Sequence, residues 1–289
     1  MIRPAFFHVL AVLLLFAGRA PAAELRVATW NLEWLTARPA GDPALPPDVR
    51  PRRPEDIDAL RRYAMVLDAD VIAFQEVDGP EIAAQVFPSD RYAVMTTNDA
   101  VVQRVGFAVR RGITVERNPD LVGLDLYPTA HRRLRSGADI TLVLPGGRLR
   151  LLSVHLKSGC NHDRLTGNIG RTCETLRGQI APLKGWMAQR VDEGVPFVLL
   201  GDFNRRMEGR DELLAALVAT APLVRATEGK ATPCWGGNSF IDHILAGGAA
   251  RAWMVPDSLR VMTYRETIEA AKATLSDHCP VSVRFRLPD

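Results

Sequence analysis

Phe197-Val198-Leu199-Leu200-Gly201-Asp202-Phe203-Asn204 is the stretch on which the reading of the fold turns. Four apolar residues make a short buried strand that runs into an acid and an amide. The period of two in extended chain turns Asp202 and Asn204 to one face and Phe203 to the other. By itself this is also the pattern of an ordinary Asx turn. Burying such groups unpaired is costly, however, so a strand that ends on them needs a reason.

Working outward, the same pattern recurs along the chain. Trp30-Asn31-Leu32-Glu33 closes the first strand, and Gln75-Glu76 closes the strand that begins at Asp70-Val71. Ser153-Val154-His155-Leu156-Lys157-Ser158 closes a central strand. Ile241-Asp242-His243 sits in a late strand, and Ser276-Asp277-His278-Cys279-Pro280 precedes the last one. Each occurrence has a bland reading as a cap, an exposed strand end or a structural His. All of them being bland together is a much weaker reading.

Between these points, alternation predicts strands at 25–31, 71–74, 92–96, 105–109, 113–116, 140–144, 149–155, 197–200, 241–245 and 281–285. Pro145-Gly146-Gly147 signals a hairpin. Helical spacing covers 56–67, 81–87, 173–191 and 211–218, while the Pro- and Arg-rich segment 36–54 reads as a long loop of the kind that often carries function. Hairpins mixed with separate helices suggest two layered sheets with outer helices, not a parallel barrel.

Residues 1–22 read as a signal peptide. Arg3 gives a positive start, Ala5 to Ala17 an apolar run, and Ala20-Pro21-Ala22 a small-residue cleavage site. The run is short of the roughly 20 residues needed to span a bilayer, so no transmembrane segment is expected after cleavage. The mature chain, 23–289, is then secreted or periplasmic and large enough to bury roughly three quarters of its unfolded surface in one domain. Losing Arg3 and Arg19 and no acids takes the net charge from +3 to +1. That excludes a strongly basic nucleic-acid coat and fits transient handling of a phosphate substrate by a monomer without a stable protein partner. The 32 Arg against 4 Lys reflect genome composition, not a binding patch.

Export also makes two disulfides plausible among Cys160, Cys173, Cys234 and Cys279. Cys160 and Cys173 bracket a polar stretch with few apolar anchors, which cannot order itself by burial, and are expected to pair. Cys279 reads either as a small buried thiol or as the partner of Cys234. Zinc spacing is absent.

The polar strand ends make a plausible metal and phosphate site. Glu76 and Asp277 are hard oxygen donors, and two carboxylates with an amide suit Mg²⁺ or Mn²⁺ better than Ca²⁺, which wants more ligands. Arg135 has the geometry to fork two phosphate oxygens.

The ordered series Trp30-Asn31, Gln75-Glu76, His155-Leu156, Gly201-Asp202-Phe203-Asn204, Ile241-Asp242 and Ser276-Asp277-His278-Cys279-Pro280 resembles the endonuclease/exonuclease/phosphatase superfamily across essentially the whole mature chain. The runs around His155 and Asp202 look most like secreted bacterial members. The resemblance implies a four-layer α/β/β/α sandwich with two mixed, mostly antiparallel sheets. It implies a divalent metal on Glu76, helped by Asn31 and Asp277, with Glu33 as a further acid. Asp202 and Asn204 would orient water and phosphate, Asp242 would orient His278, and His155 and His278 would flank the phosphate. Gln103 stands where a relative has a Glu that orients the counterpart of His155, so an amide is expected to hold that ring here. His131, near the Arg cluster, is an outside candidate for substrate contact, and His162 and His243 read as structural. The implied substrate is nucleic acid. A sphingomyelin- or inositol phosphate-type ester is the alternative, against which no amphipathic membrane segment stands out and Gly236-Gly237 interrupts the Pro233-Cys234-Trp235 run. Trp235 is instead a candidate to stack on a base or a sugar.

Overall fold

The computed structural model describes residues 23–131 and 133–288; the proposed signal peptide lies outside the described residues. The chain runs β1 (Glu24–Leu35), α1 (Pro54–Leu67), β2 (Val71–Val77), α2 (Pro80–Val86), β3 (Tyr92–Thr96), β4 (Arg104–Arg110) and β5 (Thr114–Arg117). It continues through β6 (Ala138–Leu144), β7 (Gly147–His155), α3 (Arg171–Asp192), β8 (Phe197–Asp202), α4 (Glu212–Val218) and β9 (Leu223–Arg225). β10 (Asp242–Gly247), α5 (Ala250–Trp253), β11 (Arg260–Val261), α6 (Ile268–Thr274) and β12 (Val281–Arg286) complete it.

Two six-stranded sheets result, in the orders β11-β12-β1-β2-β4-β3 and β5-β6-β7-β8-β10-β9. Each holds one parallel pair, β1 with β2 and β7 with β8, and each pair is joined by a crossover helix, α1 or α3. The remaining pairings between named strands are antiparallel. Three apolar layers follow from this arrangement. One, with Val27, Phe107, Leu151 and Phe285, fills the space between the sheets. A second packs α1 and α2 on the first sheet through Leu60, Ala64, Phe74 and Ile82, and a third packs α3 and α4 on the second sheet through Leu176, Trp186, Leu199 and Leu213. This is a four-layer α/β/β/α sandwich.

The parallel pairs matter most for the site. A parallel pair puts two carboxyl ends at one edge, so Asn31, Glu76, His155 and Asp202 are delivered together. The antiparallel neighbours β10 and β12 begin at that edge, and Asp242 lies opposite Asp202 in register. Gly201 has φ +140°, and a Cβ there would run into the Val154 carbonyl, so only glycine lets β8 close on β7. A polar contact crosses between the sheets, Gln75 Nε2 donating to Ser153 Oγ (3.2 Å), while Thr29 Oγ1, in the same sheet as Gln75, donates to Gln75 Oε1 (3.2 Å).

Two disulfides form, Cys160–Cys173 and Cys234–Cys279. The first closes the loop leading into α3. Buried Arg205 holds the same loop through the Cys160 carbonyl (2.9 Å) and the Asp163 carbonyl (2.6 Å), while pairing with Asp211 (2.6 Å). Asp211 in turn caps α4 by accepting from Leu214 N (2.8 Å).

His243 is buried on β10. Its Nε2 faces the Arg205 carbonyl (2.8 Å) and therefore carries the proton, and its Nδ1 accepts from the Thr227 hydroxyl (2.6 Å). Burial lowers its pKa to about 4. The folded state therefore refuses a proton that the unfolded chain takes near pH 6.5, and stability is lost as pH falls from there toward 4. The loss from this group is on the order of 3 kcal/mol. Urea unfolding of His243→Gln beside wild type at pH 7 and pH 4.5 should show a wild-type loss that the variant lacks. The same pH dependence in both would refute it.

Candidate active site

The edge residues form one connected set. Asn31, fully buried, donates its amide to Glu76 Oε1 (3.0 Å) in its own sheet and to Asp202 Oδ2 (3.0 Å) in the other. Its Oδ1 accepts the Glu33 N–H (2.9 Å). Asp202 also accepts from Asn204 N (2.7 Å) and Asn204 Nδ2 (3.2 Å), and Asn204 Nδ2 donates to the Leu156 carbonyl (3.1 Å) as well. Asp242 Oδ2 meets His278 Nδ1 at 2.8 Å, and the far side of that ring, Nε2, lies 3.8 Å from Asp202 Oδ2. His155 Nε2 stands 3.5 Å from Glu76 Oε1 and 3.7 Å from Asp202 Oδ2.

Glu33, Trp34, Glu76 and Asn204 all adopt left-handed backbone, with φ of 43°, 54°, 61° and 51°. Such conformations are strained for residues with side chains and gather at functional sites. They kink the strand ends so that side chains which would alternate converge instead.

The loop before β12 is fixed independently. Ser276 Oγ donates to the Asn31 carbonyl (2.7 Å) and accepts from His278 N (2.9 Å). Tyr264 OH donates to the His278 carbonyl (2.6 Å), and the Cys234–Cys279 bond anchors the next residue.

The two histidines are set apart electrostatically. Burial pushes the His155 pKa well down, helped by Arg135 and by His278, so the ring is neutral. Its Nδ1 has no partner among the described residues. The pKa of His278 is lifted well above its usual value, because Asp242 and Asp202 outweigh its burial. Burial raises Asp202, an effect that His278 opposes. Glu33 is pushed up to about 7 by burial and by Asp277, with Glu76 adding to it.

Some expectations need correction. Gln103 does not orient His155; its Nε2 donates to Glu76 Oε2 (2.5 Å), and its Oε1 accepts from Arg135 NH2 (2.7 Å). A short amide reaches the nearer carboxylate rather than the ring. Arg135 is buried: NH2 serves Gln103, NH1 faces the His155 carbonyl (3.4 Å), and Nε has no partner among the described residues. Asn31 turns its nitrogen, not its oxygen, to the carboxylates. Asp277 sits at the rim, its N–H donating to Glu33 Oε2 (2.8 Å) and its carboxylate 3.7 Å from His278 Nε2. His131 is exposed on the wall of a neighbouring pocket, and the Trp235 side chain lies outside the described ones. Arg52 was missed: buried, it donates to Glu33 (3.3 Å) and to the Leu275 carbonyl (2.8 Å), and nothing in its Pro- and Arg-rich surroundings marks it.

The sequence model of the Endonuclease/Exonuclease/phosphatase family matches residues 28–278. No curated protein matches the chain in sequence. Caenorhabditis elegans TDP2 superposes with a TM-score of 0.58 at 16% identity, covering 91% of this chain and 98% of that one. D. rerio TDP2, crystallised with a single-strand DNA product, gives 0.59 at 17% identity over 91% and 99%. The 3′ phosphatase NExo from Neisseria, bound to a product DNA hairpin, gives 0.59 at 17% over 90% and 99%. At these identities the likeness to the solved structures is one of fold. The matched span takes in every polar strand end from Asn31 to His278, and with it the chain belongs to the endonuclease/exonuclease/phosphatase family of phosphoric ester hydrolases.

Proposed function

We propose that the protein is an exported, divalent-metal-dependent phosphodiesterase that cleaves nucleic acid. The observation that carries this is the linked set Asp242–His278–Asp202–Asn31–Glu76 at one edge, with neutral His155 against it. Asp202, with its raised pKa and no cation bonded directly to it, is suited to take a proton from an attacking water. Asn204 fixes the Asp202 carboxylate during that step. His278, held protonated by Asp242, is suited to stabilise a phosphate oxygen or to protonate the leaving oxygen as the P–O bond breaks. Neutral His155 donates or accepts a hydrogen bond at the phosphate without adding charge.

The donor set fits a hard divalent cation. Burial, with Asp277 and then Glu76 nearby, raises Glu33 to about 7, and the donors of all three are oxygens. Glu76 and Asp277 would hold the ion, with the second lone pair of Asn31 Oδ1 and Glu33 in support. When bound, such an ion would polarise the phosphoryl oxygen and neutralise its charge. Mg²⁺ and Mn²⁺ are the candidates, Ca²⁺ the weaker one.

Nucleic acid is favoured because D. rerio TDP2 and NExo, which share this fold, are seen with DNA products. No described helix is long and apolar enough to cross a membrane. Two disulfides support export to an oxidising compartment by way of residues 1–22. The reading includes a mature chain from residue 23 that acts as a monomer.

Incubation with plasmid DNA, RNA and sphingomyelin vesicles in Mg²⁺ should show cleavage of a nucleic acid; cleavage of sphingomyelin alone would replace the reading. Chelation should abolish activity and Mg²⁺ or Mn²⁺ restore it, whereas full activity in excess EDTA would remove the metal from the account. Asp202→Ala and His278→Ala should each lower kcat by ~10²–10⁴ with unchanged circular dichroism. Near-wild-type turnover in either would show the roles to be misassigned.

A further inference from the structure

Beside the Glu76 carboxylate opens a pocket of about 690 Å³ that the phosphate chemistry does not use. Its size lies within the ~300–1,000 Å³ range of small-ligand pockets. One wall is Trp34, Pro43, Leu45 and Pro46; the other includes Val101 and Val102. Gln103, Arg133, Arg135 and Lys157 also line it, so the pocket and the phosphate site share the Gln103–Arg135 contact.

The Pro-rich loop that supplies the first wall is fixed in place. Arg38 and Thr36 both bind Asp78 (2.6 and 2.7 Å), and the loop closes on itself through Leu45 N to the Asp42 carbonyl (2.9 Å). Trp34 links the two regions. Its left-handed backbone turns it out of the strand alternation, its N–H donates to Glu76 Oε2 (3.3 Å), and its side chain lines the pocket. The Lys157 ammonium meets only the Ser158 carbonyl (3.0 Å) and no carboxylate among the described residues.

We propose that this pocket receives the nucleoside attached to the scissile phosphate, with Trp34 as its stacking surface and the adjoining Pro43–Pro46 loop as the edge that sets specificity. The proposal rests on the nucleic-acid reading given above. An aromatic plane with apolar walls suits a base, whose π-face stacks on it. The cations that line it, Arg133, Arg135 and Lys157, suit the phosphate of the same nucleotide.

The test is made on the full chain in Mg²⁺. Thymidine 5′-monophosphate and inorganic phosphate are titrated calorimetrically into wild type, Trp34→Ala and Ala44→Asp. KM and kcat are measured on a short single-stranded oligonucleotide and on sphingomyelin vesicles. The monophosphate should bind wild type at least roughly tenfold tighter than phosphate, and each variant should close that gap. KM for the oligonucleotide should rise roughly tenfold to a hundredfold in Trp34→Ala, with a smaller change in kcat. Ala44→Asp, at an exposed position of the same loop, serves should Trp34→Ala fail to fold. Equal affinity for the two ligands in wild type, or an undiminished gap in folded variants, overturns the proposal. Oligonucleotide cleavage with unaffected variants overturns the pocket alone and leaves the functional reading standing. No oligonucleotide cleavage by wild type overturns both, and a Trp34→Ala defect confined to sphingomyelin makes the occupant a lipid.

Discussion

Asn31 holds two carboxylates from opposite sheets at 3.0 Å each, and the site depends on that bridge. Glu76 and Asp202 are both pulled from water, and Asp202 is almost completely buried. Two buried anions at this separation would repel strongly unless a donor or cation lay between them. An amide supplies two N–H groups and no charge, so it ties the sheets without cancelling the negative field that a metal ion needs. A Lys there would neutralise the acids; an Asp would add a third negative charge. The bridge is possible because both parallel pairs end at the same edge, and those pairs exist because α1 and α3 carry the chain back across each sheet.

Much of this was legible because it depends on local pattern. The apolar run Phe197–Leu200 is β8, and its polar ending does lead into the site, with the strand continuing to Asp202. The helices read at 56–67, 81–87 and 173–191 are α1, α2 and α3 within a few residues, since their apolar spacing reports a face that is in fact buried. The four-layer arrangement was reachable from the ordered motifs and not from periodicity alone.

What was illegible has physical causes. β9, β11 and α5 are two to four residues long, too short for a period to register. α6 offers no apolar face that alternation could find. The left-handed turns at Glu33, Trp34 and Glu76 lie at residues with no propensity for them, because tertiary contacts and not local preference hold them there. Gln103 was mis-paired for a related reason: register fixes which residues share an edge, but which of two nearby acceptors an amide chooses depends on ångström-scale reach. It takes Glu76, and His155 Nδ1 has no partner among the described residues.

Burial disfavours the charged form of both histidines at the site, and their neighbours decide which of them keeps a proton. His278 has Asp242 at 2.8 Å on one nitrogen and Asp202 on the far side, so its positive form is held from both ends despite burial. His155 has no comparable hydrogen-bonded carboxylate, while Arg135 and the charged His278 both disfavour a second cation beside them. Protonating one ring therefore keeps the other neutral. Burial sets the neutral state of His155, and Gln103, an amide that binds Glu76 and Arg135, adds no charge to offset it.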